Sequence, residues 1–376
     1  MEGFWSQLNI EPRPYQQRIV QKAVEMFEGR WTNRGGQTDE PAESVMIESP
    51  TGSGKTVMGL AVARWMQQRH GLRVGWVAMR RNLLSQAAEE NRLKGFGVRM
   101  ELISMFDKDP PQADMLVVDE AQHDGAMSMA NLHSIIKPQK ILGLTATPFR
   151  TDRIKLCFDK VITDAGIQQL IADGFLSRYC HYTIPEYTPA AVAECYAQSP
   201  RHWGKSLMFF HRYDQCLSCQ DALSQRGIQA EVVTATSDRE RQLDDFAQGK
   251  LQVLINMAIL TEGFDCPTLK TVFCRPSGRG CTVQMAGRAF RKHLDLPLKQ
   301  IVQCGNTRHP FIKTAEPAEQ YIWSAGRWRS LKINQQLSTI SSNALQLIAS
   351  THAELPQLVM RNRPKSRSWR SEPAGV

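Results

Sequence analysis

The chain has 376 residues, of which 42% are hydrophobic, so it is long enough to bury two domain cores and is not disordered as a whole. Lysine and arginine number 46 against 37 aspartates and glutamates, and this basic excess favours a polyanionic partner without identifying one. The sequence has no run of about 18 apolar residues and no signal-peptide pattern at its start. We therefore expect a cytoplasmic protein with no membrane span.

The nine cysteines all lie at or after Cys157. Cys216 and Cys219 form a CxxC pair, but no second pair follows at the spacing of a zinc site. We interpret the two residues as partly buried thiols of a reduced protein.

The first half of the chain alternates short apolar runs with helical patterns, which is typical of a parallel α/β sheet. Strands are predicted at 44–48, 73–78, 98–103, 115–118 and 140–144, and helices at 14–27, 56–69, 81–94 and 128–136. We assign residues 1–155 to a first domain.

The pattern weakens after residue 151, where Pro185, Pro189 and Pro200 interrupt it, and we interpret residues 156–204 as a linker. Alternation resumes with strands at 206–210, 229–234, 252–256, 271–274 and 300–303, and helices at 213–225, 238–248 and 283–292. A second domain is thus predicted at 205–312. Residues 313–354 read as a helical extension, with 315–350 a candidate protein-binding surface. Residues 355–376 form a basic tail that is either solvated and disordered or an arm that grips phosphate.

A glycine-rich segment, SPTGSGKT at 49–56, follows a predicted strand and opens a predicted helix. Small residues there let backbone N–H groups face phosphate oxygens, and the helix N-terminus adds positive potential. Lys55 would reach the β- and γ-phosphates, and Thr56 would hold magnesium. Ser49 stands where the strict phosphate-loop pattern has glycine.

Two acids, Asp119 and Glu120, end the predicted strand at 115–118 within VVDEAQH. Paired acids at a strand end can divide labour, one binding magnesium and the other polarising the attacking water. The alternative is an acidic pair that only caps the following loop. The upstream phosphate loop favours the catalytic interpretation.

Two arginines, Arg288 and Arg291, lie three residues apart in the predicted helix 283–292 and would share one helical face. They are either a solvated basic face or a pair that completes the phosphate site from the second domain.

Taken in order, SPTGSGKT, VVDEAQH, GLTATPFR, MFFHRYDQC, TEGFDCP and QMAGRAFR resemble the motifs of superfamily 2 DEAD/DEAH-box helicases. The chain looks like the branch of XPB-type repair helicases, restriction-enzyme motor subunits and phage UvsW-type helicases, over residues 12–306. RPYQQR, MRRNLLSQ and LIADGFLSR extend the resemblance between the motifs. It implies an α/β fold with two tandem RecA-like parallel-sheet domains, an ATP cleft between them and a short helical C-terminal extension.

The resemblance also implies roles for individual residues. The catalytic residues would be Lys55, Glu120, Arg288, Arg291 and Gln284. ATP would be bound by Gln16, Pro50, Thr51, Gly52, Ser53, Gly54, Lys55, Thr56, Gly263 and Asp265, and Mg²⁺ by Thr56 and Asp119. The nucleic-acid strand, or its coupling to hydrolysis, would involve Arg81, Gln86, Thr145, Thr147 and Thr261.

One departure concerns the second motif, because the usual DEAH reads DEAQ here and the histidine comes one place later, at His123. Gln122 keeps a hydrogen-bonding side chain but cannot titrate, so its coupling to the TATP segment would differ.

The expected function is ATP-driven translocation on, or remodelling of, single-stranded, forked or branched DNA. An RNA helicase and a partner-gated ATPase subunit that does not unwind are the alternatives.

Overall fold

The structure is a computed structural model that describes residues 3–32, 35–123, 127–146, 158–257 and 266–332, with a few positions between 339 and 346. Residues 1–329 form one compact unit, which contains two sheets. In a second unit, residues 330–376, the described positions from 331 onward are helical. None of the helices that the structure describes has the length and apolar character needed to cross a membrane.

The first sheet has six parallel strands in the order β3-β2-β4-β5-β1-β6. The strands are β1 (Ser44–Glu48), β2 (Val74–Ala78), β3 (Met100–Ser104), β4 (Met115–Asp119), β5 (Lys140–Thr145) and β6 (Lys160–Thr163). The accompanying helices are α1 (Pro14–Phe27), α2 (Lys55–His70), α3 (Arg81–Leu93), α4 (Met127–Ile136) and α5 (Ile167–Ala172). The carboxyl ends of β1 and β4 bring the phosphate-loop segment and the acidic pair to one edge.

The second sheet has eight strands in the order β14-β13-β7-β12-β11-β8-β10-β9. They are β7 (Arg178–Ile184), β8 (Ser206–Phe209), β9 (Ala230–Val232), β10 (Val253–Asn256), β11 (Thr271–Phe273), β12 (Leu298–Cys304), β13 (Glu319–Ser324) and β14 (Arg327–Ser330). The helices are α6 (Pro189–Gln198), α7 (Pro200–Trp203), α8 (Tyr213–Ser224), α9 (Arg239–Gln248) and α10 (Arg279–Gly287). The prediction of two parallel α/β sheets is confirmed.

The segment 156–204, predicted as a linker, instead supplies strands to both sheets. β6 is an edge strand of the first sheet, and β7 lies between β12 and β13 in the second. Two of the prolines start helices and do not interrupt the fold. Pro189 and Pro200 each occupy a first-turn position of a helix, where the missing N–H costs nothing. Thr188 caps α6, because its side chain accepts a hydrogen bond from the Ala191 N–H at 3.2 Å.

The prediction of a helical stretch at 315–350 is wrong for residues 319–330, which form β13 and β14. Aromatic and β-branched residues in EQYIWS favour a strand. Ala325 and Gly326 join the two strands with φ of 51° and 74°, the backbone of a tight hairpin turn.

The tryptophans of the second sheet pack against one another. Trp203 is buried, and Trp328 contacts both Trp203 and Trp323 edge-on. These three side chains therefore form part of the packing of the second domain.

The CxxC cysteines are buried thiols, as predicted. Burial raises the pKa of Cys216 to about 11 and that of Cys219 to about 12, so both stay protonated at neutral pH. Within the described part of the chain, no cluster of three or more His, Cys, Asp or Glu side chains could hold a metal ion.

Candidate nucleotide-binding site

The phosphate loop runs from the end of β1 to the start of α2. Gly52 and Gly54 have φ of 84° and 80°, which a residue with a side chain rarely adopts. A Cβ atom on Gly54 would also lie 2.5 Å from Gln16 Nε2. Ser49 fits its unusual place because its hydroxyl donates to the buried Ser53 Oγ at 2.7 Å. The conformation of the loop is thus fixed in part by contacts among its own residues.

The start of α1 supports this loop from outside. Gln16 Oε1 accepts a hydrogen bond from the Arg13 N–H at 3.0 Å, and Gln16 Nε2 donates to the Ser53 carbonyl at 2.8 Å. The Tyr15 hydroxyl donates to the same carbonyl at 2.6 Å. Gln16, predicted to bind ATP, is buried and holds the phosphate loop in this structure.

A cavity of about 340 Å³ lies beside the loop and takes its walls from both sheets. Its lining from the first half of the chain is Arg13, Thr51, Gly52, Gly54, Lys55, Thr56, Leu83, Gln86, Glu90, Lys94, Asp119 and Glu120. Phe175, Pro267, Arg288, Arg291 and Lys292 complete it. The predicted phosphate, magnesium and arginine residues therefore meet in one place.

The charge balance of the cavity centres on Lys55. Burial lowers the pKa of Lys55, whereas the charges of Glu120 and Asp119 raise it. Arg288 and Arg291 lower it again, so they lie close enough to act on the Lys55 ammonium. A polyphosphate would satisfy these three cations at once.

The acidic pair also lines the cavity. Burial, and then the charge of Glu120, raises the pKa of Asp119 to about 7, while Lys55 opposes the shift. A cation would relieve this repulsion. Thr56 and Asp119 offer one hydroxyl and one carboxylate, which fits Mg²⁺ because that ion keeps waters and substrate phosphates as its remaining ligands.

Glu120 itself has an unusual backbone. Its φ of 55° lies in the left-handed region, which costs of order 1 kcal/mol for a residue other than glycine. Such strain concentrates at functional positions, and here it orients the predicted base.

Gln122 connects the acidic pair to β5. Its Nε2 donates to Glu120 Oε2 at 2.9 Å, and its Oε1 accepts from the Thr145 hydroxyl at 2.7 Å. The Thr145 carbonyl in turn accepts from the Ser49 N–H at 2.9 Å. A continuous path of hydrogen bonds therefore joins Glu120, the TATP segment and the phosphate loop.

The two arginines reach the cavity by a different geometry from the predicted one. α10 ends at Gly287, Arg288 lies in a short 3-10 turn, and Arg291 is extended with ψ of 132°. They therefore do not share a helical face. Within this turn Phe290 is buried, and it stacks on Phe311 with ring centroids 5.4 Å apart.

Close packing brings this turn against the phosphate loop. A Cβ atom on Gly287 would lie 3.1 Å from Thr51 Cβ, and the Phe290 carbonyl accepts from the Ser177 N–H at 2.9 Å. Gln284 is half-buried and does not belong to the lining.

The remaining predicted residues divide into three groups. Arg81 is exposed at the start of α3, as a strand contact requires. Gln86, predicted to contact the strand, lines the cavity instead, and Thr145 is fully buried, so it reaches the strand only through its neighbours. Thr147, Thr261, Gly263 and Asp265 lie outside the described residues.

Arg13 and Phe175 are cavity residues that the sequence analysis did not single out. The Arg13 guanidinium lies 5.6 Å from the centroid of the Phe175 ring. Both stand inside segments that carry the resemblance, RPYQQR and LIADGFLSR, but only the fold shows that they meet.

Comparison with known proteins gives two family matches, one in each half of the chain. Residues 9–103 match the family model of the type III restriction enzyme res subunit, and residues 189–293 match that of the helicase conserved C-terminal domain. The chain belongs to the superfamily 2 helicases. The first match covers the phosphate loop, and the second covers the arginine pair.

The relatives of this helicase are distant. A 51.5 kDa protein of Lactococcus phage (isolate 7-9) is 24% identical over 269 residues, which cover 62% of this chain and 59% of the phage protein. The chain spans between about a third and three fifths of the length of the first curated relatives it matches.

Solved structures share the fold at low identity. A DNA-bound ATP-dependent type ISP restriction-modification enzyme, LlaBIII, has a TM-score of 0.57 at 14% identity, covering 81% of this chain and 28% of that chain. Saccharomyces cerevisiae Dbp5 bound to RNA and ADP BeF3 has a TM-score of 0.59 at 14% identity, covering 83% and 90%. The two sheets are therefore RecA-like domains in tandem.

Proposed function

We propose that this superfamily 2 helicase hydrolyses ATP to move along, or remodel, single-stranded, forked or branched DNA. The observation that carries the proposal is the cavity lined by residues from both domains, in which the charges of Glu120, Arg288 and Arg291 all act on Lys55. A site divided in this way couples cleavage of a phosphate bond to the separation of its two halves.

Each residue has a role that follows from its position. Lys55 and the phosphate loop bind the triphosphate, and Glu120 accepts the proton of the attacking water. Arg288 and Arg291 neutralise the charge that develops on the transferred phosphoryl group, an effect worth ~10³–10⁵ in rate in related chemistry. Magnesium held by Thr56 and Asp119 would neutralise charge on the β- and γ-phosphates.

Gln122 provides the coupling step. When Glu120 changes its interaction with water or phosphate, Gln122 transmits the change to Thr145 and, through β5, to the loops at that edge of the sheet. The route uses an amide in place of the usual histidine, so it does not depend on a titrating group.

A basic path for the strand lies at the carboxyl edges of both sheets. Arg80 and Arg81 begin α3 in the first domain, and Arg239 begins α9 in the second. Arg239 is half-buried, and its Nε and Nη2 atoms have no hydrogen-bond partner in the described part of the chain. Burial, and then the charge of Arg80, lowers the pKa of Arg239. Two like charges that face each other across the domains favour a phosphate between them.

The choice of DNA draws on the comparisons. The res-subunit family match and the DNA-bound LlaBIII enzyme support it. RNA is the second candidate, because the RNA-bound Dbp5 structure matches this chain over 90% of its own length.

The experiment is a binding titration with labelled oligo(dT) and oligo(U) of equal length at several salt concentrations. We expect tighter binding to DNA, and we expect Arg239→Ala to reduce the salt slope by roughly 0.7, the contribution of one single-strand phosphate contact. Arg226→Ala is the control, because Arg226 is a second-domain arginine paired with Glu194 at 2.9 Å. Preference for oligo(U) would move the proposal to RNA, and an unchanged slope would remove Arg239 from the path.

A further inference from the structure

A fully buried lysine lies behind the second-domain wall of the nucleotide cavity. Lys299, on β12, is 0% exposed, and its Nζ donates hydrogen bonds of 2.7 Å to the carbonyls of both Pro267 and Leu269. These carbonyls belong to the turn at 266–269, which connects the predicted motif at 261–267 to β11.

The turn that Lys299 holds is part of the nucleotide site, because Pro267 lines the cavity together with Lys55 and Arg288. The same turn is fixed from its other side by Lys205, whose Nζ donates to Thr268 Oγ1 at 2.9 Å. The Leu269 N–H also donates to the Cys266 carbonyl at 3.0 Å. Pro267 therefore links the Lys299 ammonium to the cavity, because its carbonyl accepts from Lys299 and the residue itself lines the cavity.

Packing alone does not explain a lysine at this position. A buried ammonium loses its hydration, and an apolar side chain of similar length would fill the same volume without that cost. What an apolar side chain cannot do is donate to two converging carbonyls. Proline supplies no N–H to its own turn, so the turn depends on outside donors to order its carbonyls.

Among the residues that the structure describes, no carboxylate pairs with Lys299. Its register partner on β7 is Tyr179, and the Cys266 thiol faces it from the turn. Burial lowers the pKa of Lys299 to about 8, and Cys266 opposes the shift weakly. Burial raises the pKa of Tyr179, which remains neutral.

We propose that Lys299 is a positioning residue that holds the 266–269 turn, and with it Pro267, against the bound nucleotide. The inference rests on the proposed function, because it assigns the cavity to ATP. The neutral amine donates weaker hydrogen bonds than the ammonium. Lys299 therefore holds the turn less firmly once it has lost its proton.

The test measures KM and kcat for ATP across pH in the unsubstituted protein, Lys299→Met and Lys299→Arg. We expect Lys299→Met to raise KM about ten-fold with a smaller change in kcat, because the turn beside the nucleotide would lose the two hydrogen bonds that hold it in place. In the unsubstituted protein KM should rise as pH increases through about 8. In Lys299→Arg this rise should vanish, because a guanidinium keeps its charge.

Lys250→Met is the matched control, since Lys250 is an exposed lysine of the same domain that pairs with Asp245. A KM and pH profile in Lys299→Met equal to those of Lys250→Met would overturn the proposal. If Lys299→Met fails to fold, Lys299→Gln, which lacks the charge and is one atom shorter, takes its place, and a KM for ATP equal to that of Lys250→Met refutes the inference.

The outcome is separable from that of the proposed function. A protein without ATP hydrolysis refutes the function, and the affinity for a fluorescent ADP analogue over the same pH range then tests Lys299. Hydrogen exchange gives a readout independent of turnover: the amides at 268–270 should exchange faster in Lys299→Met, and unchanged exchange would count against the proposal.

Discussion

Replacing Gln122 by alanine tests whether the path from Glu120 to β5 carries hydrolysis. The substitution removes a hydrogen bond to the Glu120 carboxylate, of 2.9 Å, and one from the Thr145 hydroxyl, of 2.7 Å. A bond to a charged group contributes about 1.5–3 kcal/mol, and a neutral one about 1 kcal/mol. If the bond to Glu120 acts fully in the transition state, kcat should fall about 10- to 100-fold.

The assay is steady-state ATP hydrolysis with and without oligo(dT), with nucleotide affinity measured separately. Gln122→His restores the usual DEAH pattern and should retain more activity than Gln122→Ala. Gln112→Ala, at an exposed glutamine of the same domain, should match the unsubstituted enzyme. A Gln122→Ala variant with unchanged kcat and unchanged stimulation by DNA would refute the coupling path.

Three further predictions follow from single side chains. Lys55→Ala should abolish ATP turnover by removing the charge that reaches the phosphates; turnover above background in a malachite-green assay would contradict this. Arg291→Ala should bind a fluorescent ATP analogue normally yet lower kcat by ~10³ or more, and a loss confined to affinity would contradict the assignment. Glu28→Gln should lower the free energy of unfolding at pH 7 by about 1–2 kcal/mol in urea denaturation. Burial would raise the pKa of Glu28, but hydrogen bonds from Trp65, His70 and Arg30 hold it at about 2, below the ordinary 4.5. The stabilisation is therefore present above pH 4.5 and lost as pH falls toward 2. A difference in the free energy of unfolding between the unsubstituted protein and Glu28→Gln that stays constant over this range would refute the reasoning.

The sequence predicted the parts of the site that are local in the chain. The phosphate loop and the acidic pair each follow one buried strand, and parallel strands bring their carboxyl ends to one edge. The predicted bounds of α1 match the structure. Pro14 is typical of the first turn of a helix, and the helical pattern stops at Phe27.

The errors have physical causes of two kinds. Turn chemistry was missed at Pro189, which starts a helix, and at Ala325–Gly326, which joins two strands. The helical pattern at 283–292 also did not show that α10 gives way to a 3-10 turn at Arg288–Phe290, in which Phe290 is buried. Contacts between distant residues, such as Lys299 with Pro267, leave no periodic signal and were visible only in the fold.

The most direct measurement of the central claim is steady-state ATP hydrolysis with no polymer and then with single-stranded, duplex and forked DNA and with RNA. Glu120→Gln serves as the background control, because it should bind ATP without cleaving it. We predict strong stimulation by DNA, greatest with forked or branched substrates. Stimulation by RNA alone, or turnover indifferent to every polymer, would contradict a DNA motor, and the latter result would favour a partner-gated ATPase.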